Sequence, residues 1–224
     1  MTENRVTARE INQSISYTCW AVFARRGPAV PLLAPALADL PALLPGVTLR
    51  GWYDVSGLRA DADVMVWLHG HTAEGLQAAL REVRRTLGAV ELTWSGFGVH
   101  RPAEFNKGHV PAFLEGKPAQ QWLAVYPFVR SYDWYLLPDK ERRQLLFEHG
   151  TMGRGYTTVL SNTVASFALG DWEWLLALEA PDLHDIVDLT RHLRSSGARR
   201  HVREETPFHT GRLIDTDEVA DVLR

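Results

Sequence analysis

A single cysteine, Cys19, is the whole thiol content of this 224-residue chain. That excludes an intramolecular disulfide framework, a zinc knuckle and a cysteine-held iron–sulfur cluster, and leaves iron held by imidazole open. Residues 1–13 are polar, and neither a secretory hydrophobic core nor a membrane-length apolar span opens the chain; a cytoplasmic protein with no membrane partner is expected. Charge of one sign is not in excess. The formal net charge is −3, with neither a basic arm nor a long basic run, which argues against a nucleic-acid or membrane-surface binder. The common catalytic signatures are missing too: there is no Gly-x-Ser-x-Gly elbow, no His-Glu-x-x-His, no phosphate loop and no dinucleotide fingerprint. Gly150, Gly153 and Gly155 follow a helical pattern and read as a helix stop.

What is present is enough hydrophobic material, 46%, for one large domain or two of about 100 residues. Eight tryptophans are more than usual, and indole rings suit wide, flat pockets. Positive charge is local: Arg191, Arg194, Arg199, Arg200, His201, Arg203 and Arg212 gather near the C-terminus, as a solvated surface or as the face presented to an anionic ligand.

Taken in order, the first dozen residues read as an arm, and 15–24 is a β-rich run. The proline-punctuated stretch 28–45 can hold only short or kinked helical turns. Strands are expected at 47–55 and 63–69, a helix from Thr72 with a buried stripe of Leu76, Leu80, Val83 and Leu87 ending at Gly88, and a strand at 90–99. This β-α-β-β-α-β order is that of a ferredoxin-like unit. The second half repeats it: strand 121–130, helix 138–152, strands 156–162 and 172–179, helix 183–193 and a short last strand near 202–206. The expected class is α+β, two fused ferredoxin-like repeats with antiparallel sheets packed face to face, the dimeric α+β barrel arrangement. Its parts are an arm at 1–13, an N-terminal half at 14–100, a linker at 101–118 and a C-terminal half at 119–224.

The helix from Pro138 to Gly153 is the part of most chemical interest. Proline suits its first position, acidic residues its first turn and glycines its end. Leu145, Leu146, His149 and Met152 share one face, so the imidazole projects with the apolar stripe. There it is either a core histidine with a satisfied hydrogen bond or an axial ligand to a metal cofactor. The linker 101–118 carries Phe105, His109 and Phe113, and so long a loop in a compact protein is more often functional than idle.

Four runs of residues carry a family resemblance: Gly108-His109-Val110-Pro111-Ala112-Phe113, Tyr126-Pro127-Phe128-Val129-Arg130-Ser131-Tyr132-Asp133-Trp134-Tyr135, Glu148-His149-Gly150 and Arg200-His201-Val202-Arg203-Glu204-Glu205-Thr206-Pro207-Phe208. Together they resemble the actinobacterial coproheme decarboxylases of the chlorite dismutase-like superfamily, in matching order from Tyr17 onward. The resemblance implies that His149 is the proximal ligand of the coproheme iron. It implies that His109 is the distal base that takes a proton from hydrogen peroxide and returns it, on a mobile loop suited to a lid over the pocket. Tyr126 becomes the redox residue that removes a hydrogen atom from a propionate; its strand, followed by Pro127, is limited to an edge or end. Arg130, Ser131 and Tyr135 become propionate anchors, and Trp134 lines the pocket near a propionate. Glu148 is expected to face outward, without a role toward the imidazole. Ala198 falls where chlorite dismutases carry a distal arginine, with Arg199 and Arg200 adjacent.

The implied reaction converts iron coproporphyrin III (coproheme), both substrate and redox cofactor, through a three-propionate intermediate to haem b with hydrogen peroxide. A homopentamer and a contact with coproporphyrin ferrochelatase are the implied partners. The alternatives are a chlorite-decomposing or peroxidase-like enzyme with permanent haem b, and a non-catalytic porphyrin carrier or α+β module in which His149 belongs to the core.

Overall fold

The computed structural model describes residues 6–28 and 33–224. The N-terminal half runs β1 (Tyr17–Arg25), α2 (Leu33–Asp39), β2 (Val47–Asp54), β3 (Val64–Gly70), α3 (Ala73–Leu87) and β4 (Val90–Val99), after a short helix α1 (Ala8–Gln13). The C-terminal half runs β5 (Trp122–Arg130), α4 (Asp139–Gly153), β6 (Leu160–Ala165), β7 (Trp174–Ala180), α5 (Leu183–Leu193), β8 (Val202–Glu204) and β9 (His209–Ile214), and α6 (Thr216–Val222) closes the chain. The polar arm therefore contains a helix, started by a capping box in which Thr7 and Glu10 exchange hydrogen bonds. The proline-rich stretch holds α2 and one 3-10 turn, as its composition demands; residues 29–32 lie outside the described part.

Each half has the ferredoxin-like strand order, β4-β1-β3-β2 and β9-β5-β7-β6, and every pairing is antiparallel. The two sheets are also joined at both edges. Trp52, Tyr53 and Asp54 pair with Ile214, Leu213 and Arg212, and Val99 pairs with Ala165, so the strands close into one barrel. One element is displaced from its expected place. The strand that completes the second repeat is β9, whereas residues 202–204 make only a short β8 on the end of β5. Pro207, which has no N–H to donate to a ladder, separates the two.

The period of two along the strands sorts residues into layers. Trp20, Val22, Tyr53, Met65, Trp67, Leu123, Val125, Leu175 and Ala177 point into the barrel and form one core from both halves. Cys19, Ala21, Phe23, Val64, Val66 and Leu68 point out against α2, α3 and α6. On the other half Ala124, Tyr126, Leu178 and Ala180 point out toward α5, which buries Ile186 and Leu189. Helix α4 covers the same face yet buries no residue.

Inside the barrel Arg50 of β2 donates to Glu179 of β7 through Nη2, at 2.8 Å to Oε1 and 3.1 Å to Oε2, with side-chain exposures of 6% and 0%. Glu179 also accepts from Asn162 Nδ2 (3.0 Å) and from the Gln120 N–H (3.2 Å). Arg50 donates to the Lys117 carbonyl at 2.9 Å and lies 4.7 Å from the Trp67 ring. Removing one member of such a pair strands the other charge in a dry interior. Glu179→Ala is expected to lower the unfolding free energy by about 3–5 kcal/mol; urea denaturation of single and double Arg50 and Glu179 variants checks this, with the double variant costing less than the sum.

Two imidazoles, the buried His209 and the half-buried His69, give the fold a pH dependence. Burial first, and then Arg50 and His71, push His69 down to about 4; burial and then Arg59 push His209 down to about 4, with Asp61 opposing. His209 lies 4.6 Å from the Trp94 ring with neither ring nitrogen hydrogen-bonded. Between about pH 4 and 6.5 the unfolded chain binds more protons than the folded one, so stability rises with pH across that window and is fully present above it. Urea midpoints measured from neutral pH down to about 4.5 should fall, and the fall should be shallower in His209→Phe.

Candidate active site

Alternation along β5 places Tyr126, Phe128 and Arg130 on the outer face, toward α4 and α5. Arg130 comes at the strand end, and its guanidinium carbon lies 4.1 Å from the Trp134 ring and 5.1 Å from the Phe128 ring. It forms no salt bridge among the described residues. Burial works against its charge, with Tyr135 and Glu173 the first of the groups that offset this. A cation held between two rings without a counter-ion is a site for an anion.

The chain then turns through Trp134–Leu136, a 3-10 turn with Trp134 buried. Ser131 Oγ lies 3.0 Å from His201 Nδ1, and the His201 ring is 5.5 Å from Trp134. Tyr135 is more occupied than its expected role as an anchor suggests. Its hydroxyl donates to Glu173 Oε2 at 2.9 Å and accepts from Trp174 Nε1 at 3.0 Å, while the same Glu173 oxygen accepts the Arg130 N–H at 2.8 Å. Burial first pushes the Tyr135 phenol up to about 12. To bind a propionate, Tyr135 has to exchange Glu173 for it.

Tyr126 is 5% exposed and stacks on Phe208 with ring centroids 4.3 Å apart. Burial drives its pKa far up, the Glu205 carboxylate adds to that, and Arg194 and Arg199 oppose it. The phenol is therefore fully protonated at neutral pH. Glu205 is held by both arginines, each at 2.5 Å, so two members of the C-terminal basic cluster form one clamp. Arg203 and Arg212 are also engaged, with Tyr132 (2.8 Å) and Glu218 (2.9 Å). Ala198 is buried and Arg199 is directed to Glu205.

On α4 the half-buried face comprises Arg142, Leu145, Leu146, His149 and Met152. It is the stripe expected from spacing, but the helix stands off the sheet instead of sealing against it. His149 bonds through Nδ1, 3.3 Å from Ser196 Oγ, which leaves Nε2 as the nitrogen for a metal. Burial and then Arg130 lower its pKa, so the ring is neutral, the form that offers a lone pair. Glu148 is exposed as expected, yet it is not idle: its Oε1 accepts the Gly197 N–H at 3.1 Å.

His109 reaches this region on the long loop. The loop expected as a lid is tied at both ends. Arg142 of α4 donates to Glu104 at 2.6 Å and to the carbonyls of Tyr135 and Leu137, Arg143 lies over Phe105, and Asn12 of α1 donates to the Lys107 carbonyl at 2.7 Å. Beyond His109, the Phe113 N–H donates to Asn162 Oδ1 at 3.0 Å and its ring packs 5.6 Å from Trp67 inside the barrel. His109 itself remains exposed, with its own N–H on the Asn106 carbonyl at 3.0 Å.

These elements enclose a cavity of about 160 Å³ whose walls include His109, Phe128, Arg130, Trp134, Tyr135 and Leu146. Four of the seven residues expected at the site thus meet there. Tyr126 lies two residues from Phe128 on the same strand face, and His149 lies one turn from Leu146 on the same helix face, so both flank the cavity. Ser131 turns to His201 instead. The volume is below the roughly 300 Å³ of small ligand pockets, and α4, which has no fully buried side chain, borders it through Leu146. A neutral imidazole, an unpaired guanidinium and two indoles fit an iron porphyrin bearing carboxylates. Ser196 and Glu173 were not expected at the site; their partners His149 and Tyr135 are distant in sequence, and no local spacing signals them.

The chlorite dismutase family profile matches residues 35–214. A coproheme decarboxylase of Mycolicibacterium smegmatis is 58% identical over 177 residues, 78% of this chain and 77% of that protein. A coproheme decarboxylase of Staphylococcus saprophyticus is 21% identical over 192 residues, 78% and 76% of the two chains. Among solved structures, a putative chlorite dismutase superposes with a TM-score of 0.82 at 24% identity, covering 94% of this chain and all of that one. The imidazole complex of the Candidatus Nitrospira defluvii chlorite dismutase superposes with a TM-score of 0.80 at 20% identity, covering 93% and 95%. Fold, site chemistry and sequence converge: the chain belongs to the chlorite dismutase family.

Proposed function

We propose that this protein is a coproheme decarboxylase, converting two propionates of iron coproporphyrin III to vinyl groups with hydrogen peroxide and releasing haem b. The observation that carries this reading is the unpaired Arg130 guanidinium beside the open face of α4, a carboxylate site built next to an imidazole that presents Nε2. The 58% identity to a relative of that name supports it. Among the described residues no helix is long and apolar enough to cross a membrane.

Bound iron coproporphyrin supplies both the oxidising centre and the propionates. For each one, a –CH₂–CH₂–COO⁻ arm, one hydrogen peroxide and one proton yield –CH=CH₂, carbon dioxide and two waters. His149 ligates from α4 through Nε2. Arg130 meets a propionate with paired N–H donors, and Trp134 keeps that guanidinium in place from its other face. Ser131 and Tyr135 complete the carboxylate contacts once they leave His201 and Glu173. His109, in the cavity wall, accepts the first proton of peroxide and returns it to the departing oxygen. Tyr126 holds its phenolic hydrogen because burial disfavours the phenolate; after one-electron oxidation and loss of that proton, its oxygen removes a hydrogen atom from the β-carbon of the propionate. The assembly is a homopentamer in this proposal, in transient contact with coproporphyrin ferrochelatase, in the cytoplasm.

Stepwise addition of peroxide to protein loaded with ferric coproporphyrin III should remove two carboxyl groups in succession, read by mass spectrometry of the extracted porphyrin. Tyr126→Phe should bind the porphyrin with unchanged affinity and form no vinyl groups; full turnover in that variant rules out the radical role. Arg130→Ala should weaken porphyrin binding by roughly ten- to a hundredfold, the loss of a charged hydrogen-bonded pair, measured by Soret titration. Oxygen release from chlorite with no vinyl product would move the assignment to a chlorite-decomposing haem enzyme.

A further inference from the structure

Ser196 follows α5 by three residues and is 4% exposed. Its hydroxyl lies between two groups, 2.9 Å from the Leu193 carbonyl oxygen and 3.3 Å from His149 Nδ1. One hydroxyl hydrogen cannot serve both. A carbonyl can only accept, so the 2.9 Å contact requires Ser196 as donor, and the hydrogen is committed to Leu193. The oxygen then turns a lone pair toward Nδ1, and the contact is a hydrogen bond only if Nδ1 carries the ring hydrogen.

We propose that Ser196 is a positioning residue that selects the Nδ1–H tautomer of His149, so that Nε2 bears the lone pair on the side where an iron porphyrin binds. The functional consequence rests on reading His149 as the iron ligand; the tautomer itself does not. Ser196 is brought within reach by a close approach of α4 to the following turn. A Cβ on Gly197 would stand 3.0 Å from Leu145 Cδ2 and 3.2 Å from Glu148 Oε2, so a larger residue there would require those two side chains to give way by a few tenths of an ångström. The bond from the Gly197 N–H to Glu148 draws the same two elements together.

The choice of partner also sets the character of the ligand. Glu148, the neighbouring carboxylate, is turned to Gly197, so the imidazole donates to a neutral hydroxyl. A carboxylate acceptor would pull the Nδ1 hydrogen and give the ring imidazolate character, making it a stronger donor to iron. With serine the ring remains a neutral imidazole.

The test begins on ligand-free protein. Nitrogen NMR of ¹⁵N-histidine-labelled protein at about pH 8, above the ordinary imidazole range, with the His149 signals assigned by their loss in His149→Ala, should show Nδ1 protonated and Nε2 bare. Ser196→Ala should shift the ratio of the two tautomers toward Nε2–H by roughly tenfold, what one net hydrogen bond commands, and Ser196→Thr should restore it. A wild-type ring protonated mainly on Nε2, or a ratio that Ser196→Ala leaves unchanged, overturns the proposal. Resonance Raman of the coproporphyrin-loaded, reduced protein gives a second readout. The iron–histidine stretch should fall in Ser196→Ala, hold in Ser196→Thr and rise in Ser196→Asp, and one frequency in all four proteins overturns the electronic part. Absence of any Soret change on adding ferric coproporphyrin III to wild type would instead defeat the reading of His149 as a ligand, while the NMR result still decides the role of Ser196.

Discussion

The buried ion pair of Arg50 and Glu179 is the contact on which the rest of the molecule leans. It joins β2 of one half to β7 of the other inside a barrel that both halves must fill. Glu179 also holds Asn162, and the other end of that amide receives the Phe113 N–H, so the pair reaches the loop that carries His109. A charge pair in a dry interior is costly unless every donor and acceptor is met. Here the Lys117 carbonyl, the Gln120 N–H and the Trp67 ring meet most of them. The barrel interior and the loop that carries His109 are thus tied by one chain of hydrogen bonds.

With the interior filled by the shared core, the outer face of the C-terminal sheet is free to serve a ligand. Two helices cover it in different ways. Helix α5 packs down with Ile186 and Leu189, while α4 offers only half-buried side chains and touches the turn at 197–201 through Gly197 and Glu148. Arg142 anchors the start of α4 to Glu104 and to the 135–137 carbonyls, and Glu148 and His149 hold its later turns to Gly197 and Ser196.

The protonation states around that gap are set by burial more than by specific partners. Desolvation keeps Tyr126 a phenol and His149 a neutral ring, while Arg130, which cannot lose its proton, forms no salt bridge among the described residues. Carboxylates are present nearby but already engaged: Glu205 by two arginines, Glu173 by Tyr135 and the Arg130 N–H, Glu148 by Gly197. The site is thus prepared for negative charge brought by a ligand and has its own acids held out of the way.

What could be read from the amino-acid order was whatever depends on short periods. Helical spacing put His149 beside Leu146, and a single cysteine removed disulfides, zinc knuckles and cysteine-held iron–sulfur clusters; the double ferredoxin-like order followed from the strand and helix patterns. The strand that completes the second repeat was misplaced, because 202–206 has a strand-like composition and only pairing with β5 and β2 identifies 209–214 as the closing strand. Tertiary structure alone decided the contacts that join distant residues: Arg50 with Glu179, His149 with Ser196, Tyr135 with Glu173 and Tyr126 with Phe208. The physical reason is range. Backbone geometry repeats over two or four residues and prints itself on the sequence, whereas the partner of a buried polar group is fixed by which surfaces the closed barrel brings together.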